Sequence, residues 1–237
     1  MLKILPKNAS NWKAYKTAVV GVSLGSRNHI GPAFAGLMDW VGRNFESCII
    51  DLSDSLHRHN LISEGYSSED AHRITLTQGS TWLRDHNLII GNMPVPTTVI
   101  RWDHWLSHPD FQQHFDAFQK AAETQPDFHA ALMQDIAYFN ARRNIEPDAL
   151  SASRLQHSLN YLLEELAAHS LLYSANPCAV VYPGKDHESF KMARNGKVRN
   201  VPSGHMNSCF TRMVVYSFGP ENTPATHPQP LNQNCAA

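Results

Sequence analysis

Ten residues near the start constrain the fold most: Thr17-Ala18-Val19-Val20-Gly21-Val22-Ser23-Leu24-Gly25-Ser26. A short apolar run enters Gly-x-Ser-x-Gly, the pattern of a buried strand that ends in a tight turn. The carboxyl edge of a strand is where open α/β folds place their ligands. Gly21 and Gly25 let the backbone turn sharply and let a substrate approach it. Ser23 is therefore the candidate nucleophile, and the rest of the chain is read as its support.

Downstream, strand and helix patterns alternate. Lys16 to Ser23 is the first strand, and Pro32 suits the first turn of a helix reaching about Phe45, with Phe34, Leu37, Met38 and Val41 as its core stripe. Ser47 to Leu52 is a second strand, which completes a βαβ unit. A helix is expected over Asp54–Ile62, and a longer one starts at the N-cap Ser67 and runs past Trp82, weakened at Gly79. Thr97 to Trp102 reads as a strand, Asp110–Lys120 and Asp127–Arg143 as helices, and Ser151–Leu172 as a Leu-rich helix. Cys178 to Tyr182 is a strand stopped by Pro183-Gly184, Lys185 to Asn207 is a polar stretch, and Thr211 to Phe218 is the last strand. This alternation predicts an α/β fold, a Rossmann-like parallel sheet with helices on both faces. A single domain over 1–218 is expected, with a Pro-containing tail, 219–237, that is disordered.

The formal net charge of −1 argues against a dedicated nucleic-acid binder, although a local basic patch can act on a neutral molecule. No apolar run approaches membrane-span length, and no signal-peptide pattern opens the chain. The four cysteines form no CxxC pair, so reduced thiols and a cytoplasmic location are expected. His57-x-His59 faces two directions on a helix and makes a poor metal site, so no metal is expected.

Three pieces could carry chemistry. Gly-x-Ser-x-Gly suggests a hydrolase elbow, but only one strand precedes it and no HGGG-like segment exists. Tyr161 and Glu165 lie four apart and share a helix face, whereas Glu164 points elsewhere. Tyr182, at the end of a strand, shares the carboxyl edge with Ser23. Taken singly, each is also what a turn serine, a packed tyrosine or a surface glutamate looks like.

As an ordered set, they resemble the cyclodipeptide synthases. That family carries Gly-hydrophobic-Ser after its first strand, Tyr-x-x-x-Glu on a late helix and a tyrosine on the next strand. The matching residues are Gly21-Val22-Ser23, Tyr161 to Glu165, and Tyr182. Ile62-Ser63-Glu64-Gly65-Tyr66-Ser67 is similar to a further family segment. Tyr182-Pro183, with Ser26 where the larger subgroup has Asn, resembles the XYP subgroup. Thr17 replaces the histidine that often opens the first motif, and Ala167 replaces a proline expected after the second.

The resemblance implies a catalytic domain like those of class I tyrosyl- and tryptophanyl-tRNA synthetases. Two aminoacyl-tRNAs would be joined into a diketopiperazine without ATP, metal or other cofactor. Ser23 would carry aminoacyl and then dipeptidyl groups in a ping-pong reaction. Tyr161 and Glu165 would hold the substrate ammonium and Tyr182 would relay protons. Gly21, Gly25, Ser26 and Pro183 would shape the substrate loop, whose amides are candidate oxyanion donors. The tRNA-contact candidates are Arg73 and Arg84 on the long helix and Lys191, Arg194, Lys197 and Arg199 in the polar stretch. A monomer without membrane or DNA partners is expected. The alternative is a serine hydrolase or acyltransferase acting on a small ester through Ser23.

Overall fold

The computed structural model describes residues 2–7, 11–142 and 151–217. Six strands form one sheet in the order β1-β6-β5-β2-β3-β4. They are β1 (Leu2–Pro6), β2 (Thr17–Val22), β3 (Ser47–Leu52), β4 (Thr97–Arg101), β5 (Cys178–Tyr182) and β6 (Ser208–Ser217). β2 pairs in parallel with both β3 and β5, and β4 and β6 add in parallel outside them. The helices are α1 (Gly31–Asn44), α2 (Arg58–Ser63), α3 (Ser68–Gly91), α4 (Trp102–Leu106), α5 (Phe111–Thr124), α6 (Pro126–Arg142), α7 (Ala152–Ala175) and α8 (Glu188–Arg194). The sheet is thus the expected α/β sheet, with one antiparallel addition.

Period-two alternation along the central strands sorts their side chains onto two cores. Ala18, Val20, Val22 and Val181 pack with Phe34, Leu37 and Met38 of α1 and Trp82 of α3. Val19 and Val180 face the other way, toward Leu166 and Leu172 of α7 and the aromatics of α4–α6. Helices on both faces follow, because a parallel sheet buried on both sides needs two covers.

The chain runs outward from β2 to β3 and β4 on one side, then returns through α7 to β5 on the other. The carboxyl ends of β2 and β5 therefore flank the point where the strand order reverses, and open α/β sheets leave a crevice there. Continuing the register beyond Val20↔Val181 sets Tyr182 beside Gly21, two residues before Ser23 and on the same face.

Several local readings change. β1 pairs antiparallel with β6, Leu2 opposite Ser217, so the sheet is mixed rather than wholly parallel. A five-residue edge strand whose partner lies at the far end of the chain leaves no local pattern to read. The polar stretch contains α8, and β6 starts earlier, at Ser208. Trp102 begins α4 instead of ending β4, because Asp54 accepts its backbone N–H. The expected helix over 54–62 divides into a 3-10 turn, Ser55–His57, and α2. Gly79 is no weak point but a close approach: a Cβ there would collide with the buried Asp54 carboxylate. Ser67 caps α3 as expected, accepting the Asp70 N–H at 3.0 Å. Cys48, Cys178 and Cys209 are free thiols. No described helix is long and apolar enough to cross a membrane. The tail, 219–237, lies outside the described residues, as does Phe218.

Candidate active site

Val19, Gly21 and Ser23 are alternate residues of β2 and its exit, so all three face the same side of the sheet. Val180 and Tyr182 do the same from β5. Together with Glu165 from α7 they line a pocket that opens to solvent. Ser23 Oγ lies 3.2 Å from the Tyr182 hydroxyl. Glycine at position 21 is not required by this approach, since a Cβ there would meet the Tyr182 ring at 3.7 Å, an ordinary contact. Gly184 matters more. A Cβ at that position would overlap the Tyr182 ring, so the glycine after Pro183 is what lets the ring fold back toward Ser23.

Burial pushes the Tyr182 phenol above its ordinary value, against the opposing hydrogen bond from Ser23. At neutral pH it therefore stays protonated and can both donate and accept, as a relay must. Burial also raises the Glu165 carboxyl; Asp51 and Asp135 add to the rise, and His169 and His187 oppose it. A carboxyl in this condition is poised to exchange protons nearer neutrality than a solvated one. Tyr161, one turn earlier on α7, is held well above the ordinary phenol value by burial first and Glu165 next. Its ring packs against His57 and His59, with centroids 6.0 and 6.4 Å away, and it does not line the pocket wall.

The Ser23 backbone is anchored by His29, a residue that sequence reasoning passed over. The Ser23 N–H donates to His29 Nδ1 at 3.0 Å. Burial pushes this imidazole down to about 4, so the ring is neutral and able to accept. Trp82 donates its indole N–H to the His29 carbonyl at 2.8 Å, tying the loop to α3. This corrects part of the oxyanion expectation, because the Ser23 amide is spent on His29 and the Ser26 amide on the Ser23 carbonyl. Gly25 takes a φ of +79°, the left-handed turn its glycine permits. Gly25, Ser26 and Pro183 lie outside the pocket wall.

A family model described as cyclodipeptide synthase matches residues 6–169, a span that includes Ser23, Tyr161 and Glu165. The chain belongs to the cyclodipeptide synthase family. Its members are tRNA-dependent aminoacyltransferases that make cyclic dipeptides from aminoacyl-tRNAs. No curated protein matches the chain. Among solved structures, a CDPS from Fluoribacter dumoffii superposes with a TM-score of 0.79 at 19% identity, over 92% of this chain and 100% of that one. A cyclodipeptide synthase from Candidatus Glomeribacter gigasporarum, solved bound to Phe-tRNAPhe, gives 0.66 at 18%, over 89% and 91%. A Mycobacterium tuberculosis protein, described as demonstrating that cyclodipeptide synthetases are related to type I tRNA synthetases, gives 0.68 at 14%, over 90% and 92%. The fold is thus a cyclodipeptide synthase fold related to that of class I synthetases.

The basic residues proposed from sequence separate into two groups. Arg194 turns inward: its side chain is 13% exposed and its guanidinium meets both Asp186 oxygens at 2.6 Å. It lines the synthase pocket, so its assignment to an RNA-facing patch is withdrawn. Its place at the end of α8 aims it at Asp186, eight residues back, a geometry no linear spacing announces. Lys191 pairs with Glu188 at 2.7 Å. Arg73 and Arg84 are exposed on α3, beside Asp70 and Asp85, and Lys197 and Arg199 are exposed after α8. The pocket also holds Lys185, Asp186, His187 and His169, none of which the sequence reading picked out. For His169 a signal existed, since it follows Glu165 by four residues, the spacing that links Tyr161 to Glu165.

Proposed function

We propose that Ser23 is the nucleophile of a ping-pong cyclodipeptide synthase that uses two aminoacyl-tRNAs in turn. The reading rests on one observation above all: Ser23 Oγ stands 3.2 Å from a protonated Tyr182, in a pocket whose wall also carries Glu165. Ser23 attacks the first aminoacyl ester, its proton passing through Tyr182 to the departing ribose oxygen, and an aminoacyl-enzyme forms. The ammonium of that residue is held by Glu165, with Tyr161 beside it, through charge-assisted hydrogen bonds. The amine of the second aminoacyl-tRNA, once it has lost a proton, attacks this ester, which frees the Ser23 hydroxyl and leaves a dipeptidyl-tRNA. Ser23 then attacks that ester, the ribose oxygen of the second tRNA departs with the proton, and a dipeptidyl-enzyme results. Attack by the first residue's own amine closes the ring and frees Ser23; the tether supplies the proximity.

Ser26 and Pro183 support assignment to the XYP subgroup. The exposed Arg73, Arg84, Lys197 and Arg199 are the proposed phosphate contacts, acting on a monomer. Removing each should lower the salt slope of tRNA binding by about 0.7–0.9. The hydrolase alternative calls for an Asp and His acting with Ser23, but His29 binds the Ser23 backbone and Tyr182 holds the hydroxyl.

The test compares bacteria expressing wild-type protein or Ser23→Ala. A diketopiperazine in the medium with wild type only, and a Ser23 adduct by intact-protein mass spectrometry after mixing with charged tRNA, are expected. Product from the Ser23→Ala variant would overturn the covalent scheme.

A further inference from the structure

His169 lies one helical turn beyond Glu165 on the same face of α7, and both line the pocket. The imidazole is nearly buried, at 8% exposure, and its two nitrogens have opposite surroundings. Nε2 lies 3.0 Å from Asp51 Oδ2. Asp51 stands on β3 with no exposed surface, and its other oxygen accepts the Trp105 indole N–H at 2.9 Å. A carboxylate so placed keeps a proton on Nε2. Nδ1 is buried without a hydrogen-bond partner among the described residues. Buried polar atoms are rarely left in that state, and those that are call for an explanation.

We propose that Asp51 and His169 form a charge-setting pair for Glu165, with Asp51 holding His169 as an imidazolium next to the Glu165 carboxylate. The pair keeps Glu165 ionised in its pocket until the substrate ammonium arrives. His169 is thus a positioning residue that acts through Glu165, and its role rests on the reading of Glu165 as the ammonium-binding group. Without the imidazolium, the buried Asp51 carboxylate behind the pocket would push the Glu165 carboxyl further up with nothing on α7 to oppose it.

Among the other charges around the pocket, His187 also opposes the rise at Glu165, though less than His169 does. Lys185 sits over the Tyr138 ring, 4.6 Å from its centroid. His187, before α8, lies 3.4 Å from Asp135 of α6, so its charge is shared with that carboxylate. Arg194 of α8 is neutralised by Asp186. His205, ahead of β6, is pushed down by burial to about 3 and stays neutral. The Tyr173 phenol, also on α7, is raised by burial and stays protonated. For His169 itself burial opposes the charge, but the Asp51 hydrogen bond and the charges of Asp51 and Glu165 prevail.

His169→Gln keeps a side-chain N–H for Asp51 while removing the titrating charge. Cyclodipeptide formation is followed against pH with charged tRNA in excess, alongside Tm. The acid limb of the profile should move to higher pH by about one unit, with Tm near that of wild type. A lowered plateau with an unmoved acid limb would overturn the proposal. A second measurement needs neither activity nor this variant. In the full-length chain labelled with ¹⁵N-histidine, His169 is assigned through the α7 backbone and titrated by NMR in wild type and in Glu165→Gln. Coupling is reciprocal, so loss of the Glu165 charge should lower the His169 pKa; an unchanged titration would sink the idea. Coupling seen in a protein that makes no cyclic dipeptide would instead break the functional reading and leave the pair intact.

Discussion

Glu164 and Glu165 are neighbours on α7, identical in chemistry, and the fold treats them in opposite ways. Glu164 turns toward α2 and α4, where Arg58 grips both of its oxygens at 2.7 and 2.6 Å. His59 approaches at 3.1 Å and the Trp102 indole N–H donates at 2.7 Å. Burial would raise this carboxyl, but its bonds to His59 and Arg58 outweigh burial and hold it below the usual range. Glu165 turns to the pocket, and there burial prevails and raises it. Burial alone decides neither case; the bonds supplied to the charged form do. The saturated carboxylate fastens α7 to α2 and α4. The one at the pocket, for which no such grip is seen among the described residues, is left with capacity for a ligand.

The first way to break this contrast is Glu165→Gln. Loss of the group that holds the ammonium and takes its proton should cut product formation by about 10²–10⁴-fold, read by mass spectrometry of the cyclic dipeptide. A variant at full activity would place the chemistry elsewhere. Glu164→Ala should act instead on folding, because it strands a partly buried Arg58 and the buried Trp102 N–H. A loss of roughly 3–5 kcal/mol is expected in denaturant unfolding. Near-normal stability would mean that the four contacts are worth little.

Gly184→Ala sharpens the pocket side alone. The added methyl displaces the Tyr182 ring from Ser23, and a displacement of about 1 Å costs on the order of 10²-fold in rate. Unchanged kcat would show that Tyr182 is not needed where it stands.

The smallest effect carries opposite signs at the two positions. The depressed Glu164 contributes stability above its unfolded value of about 4.3, lost as pH falls through its lower folded value. The raised Glu165 does the reverse: the native state binds its proton more tightly, so protonation stabilises. At pH 7 Glu165→Gln should therefore gain about 1 kcal/mol, a Tm rise of roughly 2–4 °C, while Glu164→Gln should fall. The Glu165→Gln gain should shrink as pH drops toward about 4. A drop in Tm for Glu165→Gln at pH 7 would refute the contrast.

Periodicity in the sequence determined which residues share a face. Alternation put Val19, Gly21 and Ser23 on one side of β2, and the i to i+4 rule joined Tyr161 to Glu165 and turned Glu164 away. The alternating elements foretold a sheet covered on both sides, and the order of the three short motifs pointed to the family. What lies against each face was decided only by tertiary structure. Arg58, Trp102 and Asp51 reach α7 from 62 to 118 residues away, and β1 finds β6 across nearly the whole described chain. His29 reads as a loop residue until Trp82 and Ser23 close on it, and Arg194 reads as a surface cation until α8 turns it toward Asp186. A repeat of 2 or 3.6 residues fixes the direction of a side chain. Its charge state depends on groups that only the fold brings near.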